Sequence, residues 1–202
     1  MSTPPSNQRR LVILAGHRGD VPSCRQALAD DDPAVREAAL GALVRCEALT
    51  DDELASAATD ASPIVRRRVA EVAGPRAALD QSVLLGLLGD ADATVVEVAA
   101  WACGEQEHVT DDVLDALIAL AGSHADPLVR ESAVAALGAI GDERGVPAIL
   151  TACSDKPAVR RRAVLALAPF EGPEVVAALQ RALTDRDWQV RQGAEDLLDP
   201  HR

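Results

Sequence analysis

Apolar residues in this chain return at intervals of three, four, seven and eight, and the same short phrase restarts each run. "DDPAVREAALGAL" (Asp31 to Leu43) comes back as "ADPLVRESAVAAL" from Ala125 and as "DKPAVRRRAVLAL" from Asp155. Weaker copies read "ASPIVRRRVAEVA" from Ala61, "ADATVVEVAAWAC" from Ala91 and "RDWQVRQGAEDLL" from Arg186. Aligned on their central valines (Val35, Val65, Val95, Val129, Val159 and Val190), the six copies step by 30, 30, 34, 30 and 31 residues. After Val35 the apolar positions are Ala38, Ala39, Ala42 and Leu43. That spacing puts them on one face of a helix and rules out the alternation of a strand.

Each phrase also carries a helix start. Three residues before the Val stand Asp32, Ser62, Asp92, Asp126, Lys156 and Asp187. All but the lysine are residue types whose side-chain oxygen can accept from a free first-turn amide. The next position holds Pro33, Pro63, Ala93, Pro127, Pro157 or Trp188, and proline suits it because that amide has no partner in a helix. Between copies the pattern predicts a second set of shorter helices: Pro22 to Ala29, Asp51 to Ala58, Gln81 to Leu88, Asp111 to Ala121, Val146 to Cys153 and Glu174 to Leu183. Thr50 and Glu53 have the spacing of a reciprocal capping box, and Thr110 caps without one. Glycines and prolines at Gly74-Pro75, Gly104, Gly141 and Gly172-Pro173 mark breaks. The long step is expected as an enlarged loop over Gly104 to Thr110.

A pair of helices has two apolar faces and cannot bury both alone. Stacked pairs bury each other, so every unit must present the same faces at the same spacing. The predicted fold is therefore all-α: an α-solenoid of about six antiparallel helix pairs. "NQRRLVILAGHRGD" ends in Gly19-Asp20 as the fourth copy ends in Gly141-Asp142, which aligns Gln8 with Arg130 and adds a lone N-terminal capping helix over about Asn7 to Arg18. Residues 1–6 read as a disordered tail and 7–202 as a single domain.

Composition narrows the picture. Hydrophobic residues make up 48% of the 202, yet there is one Phe, two Trp and no Tyr, so the core is Ala, Val and Leu. Acidic residues outnumber basic ones 32 to 20, a net charge of -12 that opposes general attraction to phosphate backbones or anionic lipid. Cys24, Cys46, Cys103 and Cys153 form no C-x-x-C pair, so they read as small buried thiols in a reducing compartment. The apolar run of "QRRLVILAGHRGD" is too short for a signal peptide, and no segment approaches the length of a membrane span. A cytoplasmic, soluble protein is expected, with no membrane partner.

The stretch from Leu28 to Leu43 fits "L-x-D-x-D-P-x-V-R-x-x-A-x-x-A-L" and resembles the HEAT-repeat family, particularly its short bacterial, PBS-lyase-like type. The resemblance covers nearly the whole chain. It implies a fold and leaves activity open, because the family includes scaffolds, chaperone-like adaptors, bilin lyases, a di-iron hydroxylase and DNA-base glycosylases. It also implies an ion-pair ladder between repeats, built from an Asp six residues before an Arg. That spacing gives Asp30/Arg36, Asp60/Arg66 and Asp185/Arg191. Val96 follows Asp90, while His124 and Ser154 precede Arg130 and Arg160, so the ladder is expected to be broken in the middle.

In the family the second helix of each pair lines the inner, concave face, which would put positions two, five and six after the Val in a groove. Position two holds Glu37, Arg67, Glu97, Glu131, Arg161 and Gln192. Positions five and six give an apolar middle around Trp101, Val134 and Leu165. Trp and Arg are typical interface anchors. Trp101 either anchors a partner in the groove or turns sideways between repeats, and Trp188 is expected to cover the last layer. The candidate partner-binding set is Trp101, Val134, Leu165, Arg67, Arg161, Glu97 and Glu131.

Enzyme readings rank lower. No His is followed by Glu as in the di-iron relatives, and the four His residues are scattered, so no metal site is expected. Trp101, Glu97 and Arg67 allow a DNA-glycosylase reading, but the acidic balance opposes it. Nothing marks a tetrapyrrole site. The expected function is a non-catalytic protein–protein scaffold or adaptor, monomeric, with no catalytic residues and no cofactor, binding a segment of another protein. The alternatives are a DNA-base glycosylase or other nucleic-acid enzyme, and a bilin-lyase-like or chaperone-like protein.

Overall fold

In the computed structural model, residues 5–76 and 80–199 are described. They form 13 α-helices and, among the described residues, no strand. The helices are α1 (Pro5–Arg18), α2 (Val21–Gln26), α3 (Pro33–Arg45), α4 (Asp51–Ala57), α5 (Pro63–Ala73), α6 (Ser82–Leu88) and α7 (Ala93–Gly104). They continue as α8 (Asp111–Ser123), α9 (Pro127–Ile140), α10 (Val146–Ala152), α11 (Pro157–Ala166), α12 (Pro173–Ala182) and α13 (Trp188–Leu198). Short 3₁₀ turns, Ala27–Ala29 and Glu143–Gly145, extend α2 and lead into α10. The pairs run α2/α3 to α12/α13, and α1 stands before them as a lone helix stacked on α3. It begins at Pro5, so two residues expected in the tail are helical; residues 1–4 lie outside the described residues.

The starts of the second helices follow from their sequence. Asp32, Asp92, Asp126 and Asp187 each accept an amide N–H two residues on, and Pro33, Pro63, Pro127 and Pro157 occupy the first helical position. Ser62 sits at the same place but makes no side-chain bond to the first turn. The Thr50/Glu53 capping box has both its bonds, and Thr110 caps α8 alone. The 34-residue step lies elsewhere than expected. The loop after α7 spans residues 105–110, only one residue longer than the loop over 46–50 after α3; instead α8 runs 13 residues where α4, α6 and α10 run 7. Leu114, Leu117, Ile118 and Ala121 keep the helical period going, so the insertion is absorbed as extra helix.

Leu40, Leu43, Leu54, Leu84, Leu114, Leu117, Leu137 and Leu167 are fully buried, with Val35, Val65 and Val69 beside them. Each such side chain contributes about 1.5–3 kcal/mol over an exposed one. Consecutive second helices pack on one another along the whole stack, whereas first helices of successive pairs meet more sparingly. Small residues make the close approach possible: the Cβ that Gly138 lacks would lie 2.7 Å from the Cα of Ala166, and that of Gly16 2.7 Å from the Cβ of Ala42. Tight packing along one layer makes the second helices a continuous face of the stack.

An arginine ladder joins the layers, with a different pairing from the one expected. Arg36 grips Asp60 of the following repeat through Nε and Nη2, both at 2.8 Å. Arg66 grips Asp90 (2.6 and 2.8 Å), Arg130 grips Asp155 (2.6 and 2.8 Å) and Arg160 grips Asp185 (2.9 and 2.9 Å). The third arginine nitrogen, Nη1, turns back to a carbonyl of its own turn, for example Asp30 O in the case of Arg36. Arg130 and Arg160 are therefore paired, and the ladder has one gap, between Val96 and His124. His124 keeps the local role of the missing aspartate, because its Nδ1 accepts the Asp126 amide as Asp90 accepts that of Asp92. These guanidiniums hold the carboxyls of Asp60, Asp90, Asp155 and Asp185 below the usual carboxylate range.

Candidate protein-binding face

A helix turns about 100° per residue, so positions two, six and nine after the Val, and the one just before it, share a face, while position five lies off it. The structure follows that geometry. Position five (Leu40, Ala70, Ala100, Val134 and Val164) is buried in the first five pairs. Val134 is thus core, packed between layers, and is not part of the exposed face as expected. The last pair has Glu195 there, exposed on a layer that no further one covers.

Position six holds Trp101 and Leu165, 45% and 52% exposed, with the half-buried Ala135 between them on α9. Leu128, one residue before its Val, lies on the same face and is 55% exposed. It was missed because attention to positions after the Val leaves out the first helical turn. Ala139, Ala168 and Pro169 continue this apolar surface, which forms a shallow depression with Gly138, Arg162 and Leu165. Trp101 is packed between repeats on one edge and exposed on the other. One ring edge lies on Gly74 of the preceding pair, where a Cβ would come 3.2 Å from its Cζ3, and the rest faces out. Trp188 is 64% exposed at the start of α13 and so does not cover the last layer.

The charged positions form pairs along the face. Arg67 reaches Glu71 at 3.5 Å, and Arg68 links Glu71 (2.7 Å) to Glu37 (3.5 Å), which also meets Arg9 of α1 (3.3 Å). Arg161 lies 3.8 Å from Asp187 and donates to Gln189, and Arg162 lies 3.8 Å from Glu131. Glu97 is half-buried beside Trp101's turn. The face thus carries a cross-linked charged cluster on α1, α3 and α5, where Val44 and Ile64 are also exposed, and the apolar row Trp101, Ala135 and Leu165 on α7, α9 and α11, with charge pairs beside it.

The HEAT-repeat family description matches residues 81–158 and 114–199, and a single HEAT-repeat description matches residues 21–47. The chain belongs to the HEAT-repeat family. Among solved structures, the Escherichia coli protein YibA is similar over 98% of this chain and 76% of its own, at 17% identity and a TM-score of 0.67. A designed armadillo repeat protein in complex with the peptide (KR)4 is similar over 91% of this chain and 99% of its own, at 18% identity and a TM-score of 0.65. These likenesses are of fold. No curated protein matches the sequence.

Chemistry-bearing groups in this HEAT-repeat chain are dispersed. Among the described residues no three His, Cys, Asp or Glu side chains gather as a metal site would require. No helix of the described residues is long and apolar enough to cross a membrane. The four cysteines are free thiols; burial pushes Cys103 up to about 12 and Cys153 to about 11, which keeps both protonated and poorly nucleophilic.

Proposed function

We propose that this HEAT-repeat protein is a non-catalytic scaffold that binds a segment of another protein along the continuous face of its second helices. The observation that carries the reading is the row Trp101, Ala135 and Leu165, joined by Leu128. It is an apolar strip spanning three adjacent helices, flanked by charged residues, with the exposed Val44 and Ile64 lying apart from it on α3 and α5. A partner's apolar side chains would cover that strip; burying the open half of Trp101 is worth roughly 1–2 kcal/mol. Arg67 and Arg161 then align acidic groups of the segment. Their present pairs are exposed contacts at 3.5 and 3.8 Å, the kind worth about 0–1 kcal/mol, so a partner carboxylate can displace them. Glu97 and Glu131 flank the strip and disfavour an acidic residue at its centre. The peptide complex of the designed armadillo repeat protein supports the reading at the level of the fold.

The test is capture of partners from native lysate by the wild-type chain and by a Trp101→Ala/Leu165→Ser variant shown to be folded. Loss of specific captured proteins supports the assignment. Retention of all of them removes this face from consideration. Duplex DNA at physiological salt is expected to give no gel shift, since the arginines of the face each have a carboxylate within 4 Å.

A further inference from the structure

Among the described residues α1 is a second-type helix with no first helix beside it, and the layers behind it show what such a neighbour looks like. Every later second helix has a first helix beside it; α1 has none among the described residues. A cleft opens at that place, walled by Leu11 and Ala15 of α1 and by Ala27 after α2, and lined also by Arg18 and by the carboxylates of Asp20 and Asp30.

The register of α1 in the repeat is fixed by the backbone. Its last residue, Arg18, precedes a left-handed glycine, Gly19 (φ 71°), as Ile140 of α9 precedes Gly141 (φ 72°). Asp20 and Asp142 follow, and each caps the next turn. The shared offset sets Leu11 level with Ala133 and puts it four residues after the position of the central Val. In the six pairs that position holds Ala39, Val69, Ala99, Ala133, Ala163 and Ala194, each 0% exposed. Leu11 is 50% exposed, and it is also larger than all six of its counterparts. Leu14, 37% exposed, lies on the adjoining edge, where Ala42 and Ala166 meet the preceding second helix.

The same register identifies the charge the slot expects. Arg18 is the counterpart of Arg76, which follows α5. Arg76 binds Asp51, in the first turn of the first helix of its own pair, at 2.5 Å, and donates to the carbonyl of Leu49. A first helix runs antiparallel to its partner, so its acidic N-terminal turn lies beside the C-terminal end of the second helix. Arg18 occupies that end in α1 and has no carboxylate partner among the described residues.

We propose that the cleft between α1 and α2 takes an amphipathic helix of a partner protein, laid antiparallel to α1 in the place of a first helix. The occupant has an acidic first turn against Arg18 and Leu or Ile at every third or fourth position over Leu11 and Ala15. This surface is separate from the strip around Trp101, so the two assignments stand or fall independently.

The probe is a hydrocarbon-stapled, fluorescent peptide with the sequence of residues 110–123, which carries Asp111 and Asp112 in its first turn and Leu114 and Leu117 inward. Anisotropy titration with the intact chain should show saturable binding. Leu11→Glu should weaken it by about tenfold or more, because a charge replaces buried apolar surface. Arg18→Ala should weaken it by about threefold, the size of one exposed ion pair. Trp101→Ala should leave it unchanged. Leu11 is already half-exposed, so Leu11→Glu should melt at the wild-type temperature; the Arg18→Ala arm decides the matter if it does not. Absence of binding, or binding indifferent to both substitutions, overturns the proposal. So does Leu11-dependent dimerisation in sedimentation, which would make the occupant a second copy of this chain.

Discussion

Arg160 and Asp185 meet edge to edge, with Nε and Nη2 each 2.9 Å from one carboxylate oxygen, and both side chains are largely withdrawn from water. Two parallel charge-assisted bonds with little solvent access make this rung worth more than an ordinary surface pair.

Acid should therefore loosen the stack. The ladder carboxyls ionise at lower pH in the folded chain than in the unfolded one. Their stabilisation is complete above the ordinary aspartate value near ~3.9 and is lost as pH falls through the lowered folded values. Urea denaturation at several pH values should show stability dropping below about pH 4. Asp185→Asn should flatten that slope and cost about 1–3 kcal/mol at pH 7, since Arg160 is left buried without its counter-charge.

The gap in the ladder can be filled. Val96→Arg alone places a charge where a valine is buried and should destabilise the chain by about 3 kcal/mol or more. His124→Asp alone should cost less, because aspartate can accept the Asp126 amide as His124 does. The double variant should recover most of the loss, giving a favourable coupling of about 1–2 kcal/mol in a double-mutant cycle. Additive effects would show that the rung geometry does not carry over to this layer.

Two glycine-to-alanine changes should move stability in opposite directions. Gly138→Ala drives a methyl into the Cα and Cβ of Ala166 and should cost about 1–3 kcal/mol. Gly86→Ala, within α6, meets nothing within 4 Å and should gain about 0.5–1 kcal/mol from helix propensity. Thermal melts of both variants check the pair.

Alkaline conditions should weaken the fold through Cys103. Its thiol ionises near ~8.5 in an unfolded chain, but burial pushes it up to about 12 in the folded one. The folded state then holds a proton that the unfolded state releases, so stability falls as pH rises past about 9. Cys103→Ala should reduce that slope, leaving the part due to Cys153, and native Cys103 should resist iodoacetamide at pH 8 until denaturant is added.

The repeat itself was open to reading in the sequence, because a stack needs the same faces at the same interval and Val35 through Val190 keep that interval. Three features were not. In the fourth and fifth copies positions five and six are all apolar (Val134/Ala135 and Val164/Leu165), so residue type there cannot tell Val134 from Leu165; a one-residue error in phase is about 100° of helix and separates core from surface. The ladder pairing was hidden by distance along the chain: Asp30 and Arg36 belong to one turn, but the carboxylate Arg36 grips is Asp60, brought in by stacking. The long step looked like a loop because Gly104 and Glu107 to Thr110 are polar or breaking. The period running through Leu117, Ile118 and Ala121 was the better guide to where the extra residues went.

The missing rung between Val96 and His124 has a mechanical meaning. On either side of it the layers are joined by paired charges; this one joint is held by apolar packing, by the close fit of Gly104 against Ala136, and by Gln81, whose side chain donates to the His108 carbonyl and accepts the Thr110 amide. Among the described residues it is the one joint between pairs that a pull on the two ends could open without breaking an arginine–aspartate rung, and it divides the stack into two blocks of three helix pairs. The Trp101 and Leu128 helices face each other across that joint, so a segment laid over both would tie together the two blocks that no rung connects.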